Sequence, residues 1–303
     1  MGVCGRTAVT GAAVLSLALL AAGCGQDNAS QSSSEGSAAP STAQAPSGQP
    51  DVNGNGTPDG TASDTDWPGK MTVTYEDATS PAAVTGRDLI QKDHLLEDLA
   101  DSINQTLKLP YDVPLIGKQC DEANAYWSPD DKTVTICYED AADAVDIYTK
   151  AGDADPGASA INAEIATFYH ETGHMVIDLY DLPTTGREED VADQLSAYLL
   201  LEPGPDGKID PGNVQAVKDF AREFQGYSDQ KGGEIDDGQL ADVHSLDKTR
   251  MYNLECWVYG ADPTGNADLV NDGALPQDRA DGCEDEYNKL SSSWDTLLGP
   301  YVK

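Results

Sequence analysis

Apolar residues recur at helical spacing along much of the chain after residue 88. Between Asp88 and Leu107, leucine and isoleucine fall mostly three or four positions apart. This period predicts an amphipathic helix with one buried face. Further helices are predicted at 141–151, 158–182, 187–201, 214–224, 246–260 and 281–298. The helix at 158–182 is apolar around most of its circumference, which predicts a central, buried position and an end at Pro183.

Strand patterns are few. Met71–Tyr75 alternates as a short strand. Ala125 and Trp127 precede a turn signal at Ser128–Asp131, and alternating apolar residues follow it in Thr133–Cys137, which predicts a hairpin. The last of these strands could offer its edge to an extended peptide. The chain therefore predicts a helix-rich α+β single domain with a small antiparallel hairpin or sheet.

The first residues have the pattern of an export signal. The apolar run from Ala12 to Ala22 is too short to cross a bilayer, and small residues lead directly to Cys24. The run Leu20–Cys24 resembles a bacterial lipoprotein signal, which implies cleavage after residue 23 and a lipid on Cys24. An ordinary cleaved signal with an incidental cysteine is the alternative. Either way we expect an extracytoplasmic protein, attached to a membrane only through its lipid.

Residues 24–67 are mostly Ser, Ala, Gln, Gly, Pro and Asp. Such a composition buries too little apolar area to fold, so it predicts a disordered linker before a domain at 68–303. Within it, residues 51–59 match the first places of an EF-hand-like calcium loop. Ala62 stands where the closing Glu belongs, so a polar linker is favoured over Ca²⁺ binding.

The charge and the cysteine content limit the possible binding partners and the compartment of the protein. The chain has 53 acidic and 18 basic side chains, a net charge of −35, which argues against nucleic acid and anionic lipid surfaces as partners. Four cysteines remain after the leader, an even number that suggests two disulfides in an oxidising compartment. Because the hairpin brings Cys120 opposite Cys137, we pair these two, and by default Cys256 with Cys283.

His170, Glu171 and His174 form an HExxH motif. On a helix, residues four apart lie on one face, so both imidazoles can bind one metal ion. Glu171 is then placed to act on water as a general base. Two of the four histidines in the chain fall here, on an otherwise apolar helix where unpaired polar groups are costly.

A catalytic zinc site needs a third protein ligand. Ile177 and Tyr180 occupy the positions where the extended motif HExxHxxGxxH needs Gly and His, so the ligand should come from a following helix. There Glu189 and Asp193 share one face: Glu189 is the predicted ligand, and Asp193 the acceptor of a hydrogen bond from a ligand histidine. Glu188, Asp190 and Asp178 are the alternatives. We assign Glu188 to a capping box that begins at Thr185.

With these residues the chain resembles the gluzincins, peptidases that combine HExxH with a downstream glutamate. The ExxAD spelling is similar to that of membrane-associated zinc peptidases, and ExxxD also matches thermolysin. The string 168–201, with Cys256–Gly260 and Asp278–Cys283, is most similar to a motif-defined family of secreted bacterial metallopeptidases. This resemblance covers most of residues 70–303 and implies a zincin-like fold.

The leading interpretation is a membrane-tethered zinc metallopeptidase, a hydrolase of peptide or protein substrates. Candidates for stabilising the oxyanion are His244, Arg250 and Tyr252. Two alternatives stay open: an inactive scaffold that keeps the metal, and an amidase acting on cell-wall peptides. Manganese, cobalt and iron also remain open as the metal.

Overall fold

Four short strands form one mixed sheet in the computed structural model of the chain, which describes residues 67–232 and 235–303. The strands are β1 (Met71–Tyr75), β2 (Val113–Lys118), β3 (Ala125–Ser128) and β4 (Thr133–Cys137). The predicted signal peptide, the predicted lipidation site at Cys24, the candidate calcium loop and nearly all of the predicted linker lie outside the described residues.

The order of the strands across the sheet is β1-β2-β4-β3. The predicted hairpin is confirmed, with β3 antiparallel to β4 and Trp127 opposite Val134. The rest of the sheet differs from the expected antiparallel arrangement, because β1, β2 and β4 run parallel. Parallel neighbours need a long connection. The expectation that β4 offers a free edge was wrong: β4 lies inside the sheet, and β3 forms that edge.

Helices make up most of the described chain. They are α1 (Pro81–Lys92), α2 (Leu95–Thr106), α3 (Tyr138–Ala151), α4 (Pro156–Tyr180), α5 (Glu188–Leu201), α6 (Pro211–Gln230), α7 (Asp237–Ala241), α8 (Asp247–Ala261), α9 (Asp268–Asn271), α10 (Gln277–Ala280) and α11 (Cys283–Leu298). The expectation of a helix-rich α+β domain is therefore confirmed.

The helix predicted at 214–224 is longer, Pro211–Gln230, and two other predictions about helices were wrong. The segment 88–107 is not one helix, because His94 takes a left-handed backbone conformation with φ of 55° and separates α1 from α2. The capping box at Thr185 is also absent: α5 begins at Glu188, and its N-cap is Arg187, whose side chain makes no capping hydrogen bond. Glu188 is consequently free to bond elsewhere.

Helix α4 forms the centre of the domain. Asp155 caps its first turn by accepting a hydrogen bond from the Ala158 amide, at 3.1 Å, and Pro156 suits the first helical position. The helix packs against α3, α5, α6 and β3. Phe168 and Met175 are completely buried in this core, and each contributes about 1.5–3 kcal/mol through removal from water. The prediction of a central, buried motif helix is confirmed.

Two disulfide bonds join the predicted pairs, Cys120 with Cys137 and Cys256 with Cys283. The first connects the chain before β3 to the end of β4, and the second connects α8 to the start of α11. Each constrains the unfolded chain and stabilises the domain by about 3 kcal/mol. Over residues 67–232 and 235–303, none of the helices has both the length and the apolar character required to cross a bilayer.

Candidate metal centre

His170 and His174 lie one turn apart on α4, with their Nε2 atoms 3.3 Å from each other. Glu189 reaches them from the first turn of α5. Its Oε2 lies 3.2 Å from Nε2 of His170 and 3.3 Å from Nε2 of His174. Within the described chain, these three residues form the one group of His, Cys, Asp or Glu whose ligand atoms all lie within 4.8 Å of one another.

A close approach of α4 and α5 allows this convergence. Gly173, inside the HExxH motif, faces Ala192 of α5. A Cβ atom on Gly173 would lie only 2.7 Å from Cα of Ala192 and 3.0 Å from its Cβ. The missing side chain therefore lets the first turn of α5 come near enough for Glu189 to reach both rings.

Each imidazole is held from its far nitrogen by a carboxylate. Asp193 Oδ1 lies 2.8 Å from Nδ1 of His170, and Glu188 Oε1 lies 2.9 Å from Nδ1 of His174. Since a carboxylate accepts, each ring in its neutral, metal-binding form donates from Nδ1 and turns the lone pair of Nε2 toward its neighbour. Oε2 of Glu189, which points to the same spot, is buried and has no hydrogen-bond partner. Two lone pairs and a carboxylate oxygen facing one point fit a divalent metal ion.

The local charge also favours a cation. Burial alone would lower the pKa of His174, but the carboxylates of Glu189, Glu171 and Glu188 raise it to about 9. Burial would raise the pKa of Glu189, yet the neighbouring imidazoles hold it far below its ordinary value. The negative charge around the rings therefore attracts positive charge to the site.

Arg250 of α8 supports the site from behind. Its guanidinium forms two hydrogen bonds with Asp193, both of 2.7 Å, and it lies 3.9 Å from the ring centroid of Phe224. Asp193 and Arg250 are both buried. Burial acts to raise the pKa of Asp193, but Arg250 and His170 together keep it well below its ordinary value. Arg250, expected as an oxyanion donor, is thus engaged in holding Asp193 beside His170.

Glu171 lies beside the ligand atoms without joining them. Its Oε1 is 4.0 Å from Nε2 of His170, and its Oε2 accepts a hydrogen bond from the backbone N–H of Trp127, at 2.9 Å. That N–H belongs to β3 and points away from β4. An edge strand therefore fixes the orientation of the carboxylate.

Of the three expected oxyanion donors, His244 is the one with an imidazole at the metal centre. Its Nε2 lies 3.1 Å from Oε2 of Glu189, and its Nδ1 lies 2.8 Å from Asp242. Arg187 holds this stretch between α7 and α8 by donating to the backbone carbonyls of Asp242 and His244, both at 3.0 Å. Tyr252 is not among the residues that line the surrounding cleft.

A cleft of about 1080 Å³ contains these groups. Strand β3 borders one side, α4 supplies the motif residues, and the stretch around His244 borders another side. Helix α6 adds Phe220, Glu223, Phe224 and Tyr227, which share one face through their spacing.

Sequence reasoning did not identify several of these residues. Glu188 was assigned to a cap, although its position next to Glu189 offered a second carboxylate. Asp140, Glu164 and Glu223 are buried acids near the cleft that pattern alone did not single out. The available signal was an acid on an apolar helix face, such as Glu223 between Phe220 and Phe224.

Comparisons with known proteins found one family. A family model described as "Putative metallopeptidase" matches residues 75–298. Neither the curated proteins nor the solved structures include a match to the chain.

Proposed function

The chain belongs to this metallopeptidase family, and we propose that it is a zinc-dependent peptidase of gluzincin type. The observation that carries the proposal is the convergence of His170, His174 and Glu189 beside Glu171, whose carboxylate is aimed by a backbone hydrogen bond. A purely structural zinc site would usually close with a fourth protein ligand and has no use for such a free carboxylate.

In this proposal His170, His174 and Glu189 hold the zinc ion. Two nitrogens and one carboxylate oxygen are a frequent ligand set of catalytic zinc. When bound, zinc supplies a Lewis acid that polarises a substrate carbonyl and makes water more acidic. Asp193 and Glu188 keep the two imidazoles in the tautomer that presents Nε2.

Glu171 is the proposed general base. Trp127 occupies its Oε2, so Oε1 remains to take a proton from the attacking water. The same carboxyl then returns that proton to the leaving amine. His244, whose pKa the carboxylates of Glu189 and Asp242 raise, is in its doubly protonated form the proposed Nε2 donor to the negatively charged oxygen that develops on the substrate carbonyl.

Strand β3 is the proposed site for the substrate backbone. The carbonyls of Asn124 and Ser128 accept hydrogen bonds from Cys137 and Lys132, on the β4 side. Because backbone groups alternate along a strand, those of Ala125 face the cleft. An extended peptide can therefore pair with this edge and bring its scissile bond to Glu171.

The test combines metal analysis with hydrolysis. Purified protein should contain about one zinc per chain and cleave peptides from a mixed library, and a chelator should stop cleavage. Glu171→Gln should keep the zinc and lose hydrolysis. Asp178→Asn is the matched control on the same helix, an exposed acid paired with Lys132, and should keep both properties. Hydrolysis by Glu171→Gln at the wild-type rate would remove Glu171 from the mechanism.

We place the enzyme outside the cytoplasm, anchored through a lipid on Cys24. The apolar run that ends at this cysteine supports the location. Cys24→Ser should release the protein from the membrane fraction of a bacterial host, and continued sedimentation with membranes would contradict the anchor.

A further inference from the structure

Three buried carboxylates lie on three helices, α3, α4 and α6, that pack against one another beside the cleft. They are Asp140 in the first turn of α3, Glu164 on α4 and Glu223 on α6, with exposed fractions of 8%, 2% and 3%. Asp140 and Glu223 line the cleft. Glu164 lies on the same face of α4 as Glu171, two turns earlier. We call these three residues the acidic subsite.

The acidic subsite has almost no compensation from the protein. Oε2 of Glu164 is buried and has no hydrogen-bond partner. The hydroxyl of Tyr227 approaches Glu223 Oε1 only to 3.4 Å. Within residues 67–232 and 235–303, the ion pairs include none formed by these three acids. Burying an ionised carboxylate without a partner is costly, so these acids can ionise only when a cation from outside accompanies them.

The pKa values agree with this geometry. Burial raises the pKa of Asp140 to about 7, and the charges of Asp143 and Glu171 add to the effect. Burial and the neighbouring acids also raise the pKa of Glu164 and of Glu223. Asp140 and the proposed base Glu171 line the same cleft.

The basic residues around the cleft are committed to other partners. Arg250 binds Asp193 through two hydrogen bonds. Lys231 pairs with Asp247 at 2.8 Å. Arg187 donates to backbone carbonyls of the stretch that carries His244. No basic side chain among the described residues that line the cleft is therefore left to pair with the acidic subsite, and a bound cation would take the place of the protons that these acids otherwise hold.

The spacing of the acids distinguishes an organic cation from a metal ion. Calcium takes oxygen ligands at about 2.3–2.6 Å, so ligand atoms around one ion lie within about 5 Å of each other. The acidic subsite does not form such a group in the described part of the chain, unlike the metal centre. An ammonium or guanidinium donates several hydrogen bonds of about 2.8 Å in different directions and can reach acids that are farther apart.

We infer that the acidic subsite binds a positively charged group of the substrate, either a Lys or Arg side chain near the scissile bond or a free N-terminal amine. The inference rests on the proposed peptidase function. Phe220 and Tyr227 flank Glu223 on the cleft-facing side of α6, so they offer apolar walls for the methylene stem while the acids take the charge.

A matched peptide series tests this directly on the full-length, zinc-loaded protein. Library cleavage first identifies the positions around the scissile bond. Peptides that carry Lys, norleucine or Glu at one position, each with a free or an acetylated N-terminus, are then compared. The Lys peptide, or the peptide with a free amine, should exceed its neutral counterpart in kcat/KM by about tenfold or more, the usual effect of a hydrogen bond to a charged group.

The variant Asp140→Asn with Glu223→Gln should bring that ratio close to one. Glu255→Gln is the matched control. Glu255 is also a buried glutamate with a raised pKa and an unpartnered Oε2, but it is not among the residues lining the cleft. The control should keep the wild-type preference.

Equal cleavage of the Lys, norleucine and Glu peptides by the wild type, with no effect of acetylation, would overturn the inference even if the double variant fails to fold. So would a cationic preference that survives in a folded double variant. Calorimetry with Nα-acetyl-lysine amide and its norleucine analogue measures the subsite without turnover. Binding of the lysine probe without any peptide cleavage would refute the peptidase function and retain the cation site.

Discussion

Replacing Gly173 with alanine should weaken metal binding strongly while lowering the stability of the fold only slightly. In Gly173→Ala the new Cβ would lie 2.7 Å from Cα of Ala192, whereas carbon atoms in contact are about 3.5–4.0 Å apart. Helix α5 must therefore move by roughly 1 Å. Such overpacking costs about 1–3 kcal/mol, and the better helix propensity of alanine offsets about 1 kcal/mol of it.

The expected change in the free energy of unfolding is thus small, a loss of about 0–2 kcal/mol. Metal binding is less tolerant, because ligand distances must hold to about 0.2 Å and Glu189 moves with α5. We expect zinc affinity to fall at least about tenfold, a loss of the size that disturbed ligand support causes. Competition with a chromophoric chelator measures the affinity, and thermal unfolding of the metal-free protein measures stability.

Gly157→Ala provides the matched control on the same helix. A Cβ at Gly157 would meet its nearest heavy atoms, Leu89 Cδ1 and Asp155 Oδ1, at 3.5 and 3.6 Å, which is ordinary contact. This variant should bind zinc as the wild type does and be equally stable or slightly more stable. If Gly173→Ala also binds zinc with unchanged affinity, the close approach of α4 and α5 does not position Glu189 and the reasoning fails.

Two further measurements address single carboxylates. Glu189→Ala should lower zinc affinity by more than about 100-fold. Glu188→Ala removes only the hydrogen-bond partner of an imidazole, and Glu188 is half exposed, so this variant should lower zinc affinity by about tenfold or less. If Glu188→Ala has the larger effect, Glu188 is the ligand and Glu189 is not. Burial raises the pKa of Glu255 from 4.5 to about 7, so the folded protein keeps a proton that the unfolded chain has lost. The free energy of unfolding should therefore fall as the pH rises from 4.5 to 7. Glu255→Gln should remove roughly 1–2 kcal/mol of this fall, after allowance for solvent screening. If the free energies of unfolding of both proteins, from denaturation curves, change equally with pH over this range, the prediction is wrong.

The helices and the motif follow from local pattern, which the sequence displays directly. A fixed spacing of four residues places His170 and His174 on one face of α4, and the apolar circumference of 158–182 predicts its burial. Glu189 and Asp193 could also be predicted from the sequence, because one helical turn separates them and places them on one face. Each of these predictions depends on residues within one helix and on the period of that helix.

The features that were missed depend on contacts between distant segments. Strand β2 contains Pro114 and Gly117, both of which disfavour strands in isolation, and its parallel neighbours stabilise it. The break at His94 requires a left-handed residue that the helical period of 88–107 does not reveal. Asp140 and Glu223 are 83 positions apart in the sequence and meet only because α3 and α6 pack against each other. No spacing rule relates them.

The bond between Cys120 and Cys137 has a consequence for molecules that have been nicked. The ring of chain that it closes contains the whole of β3. If a protease cuts the backbone anywhere inside this ring, the fragments remain covalently joined through the disulfide. A gel run under reducing conditions will therefore separate fragments that a non-reducing gel shows as one molecule.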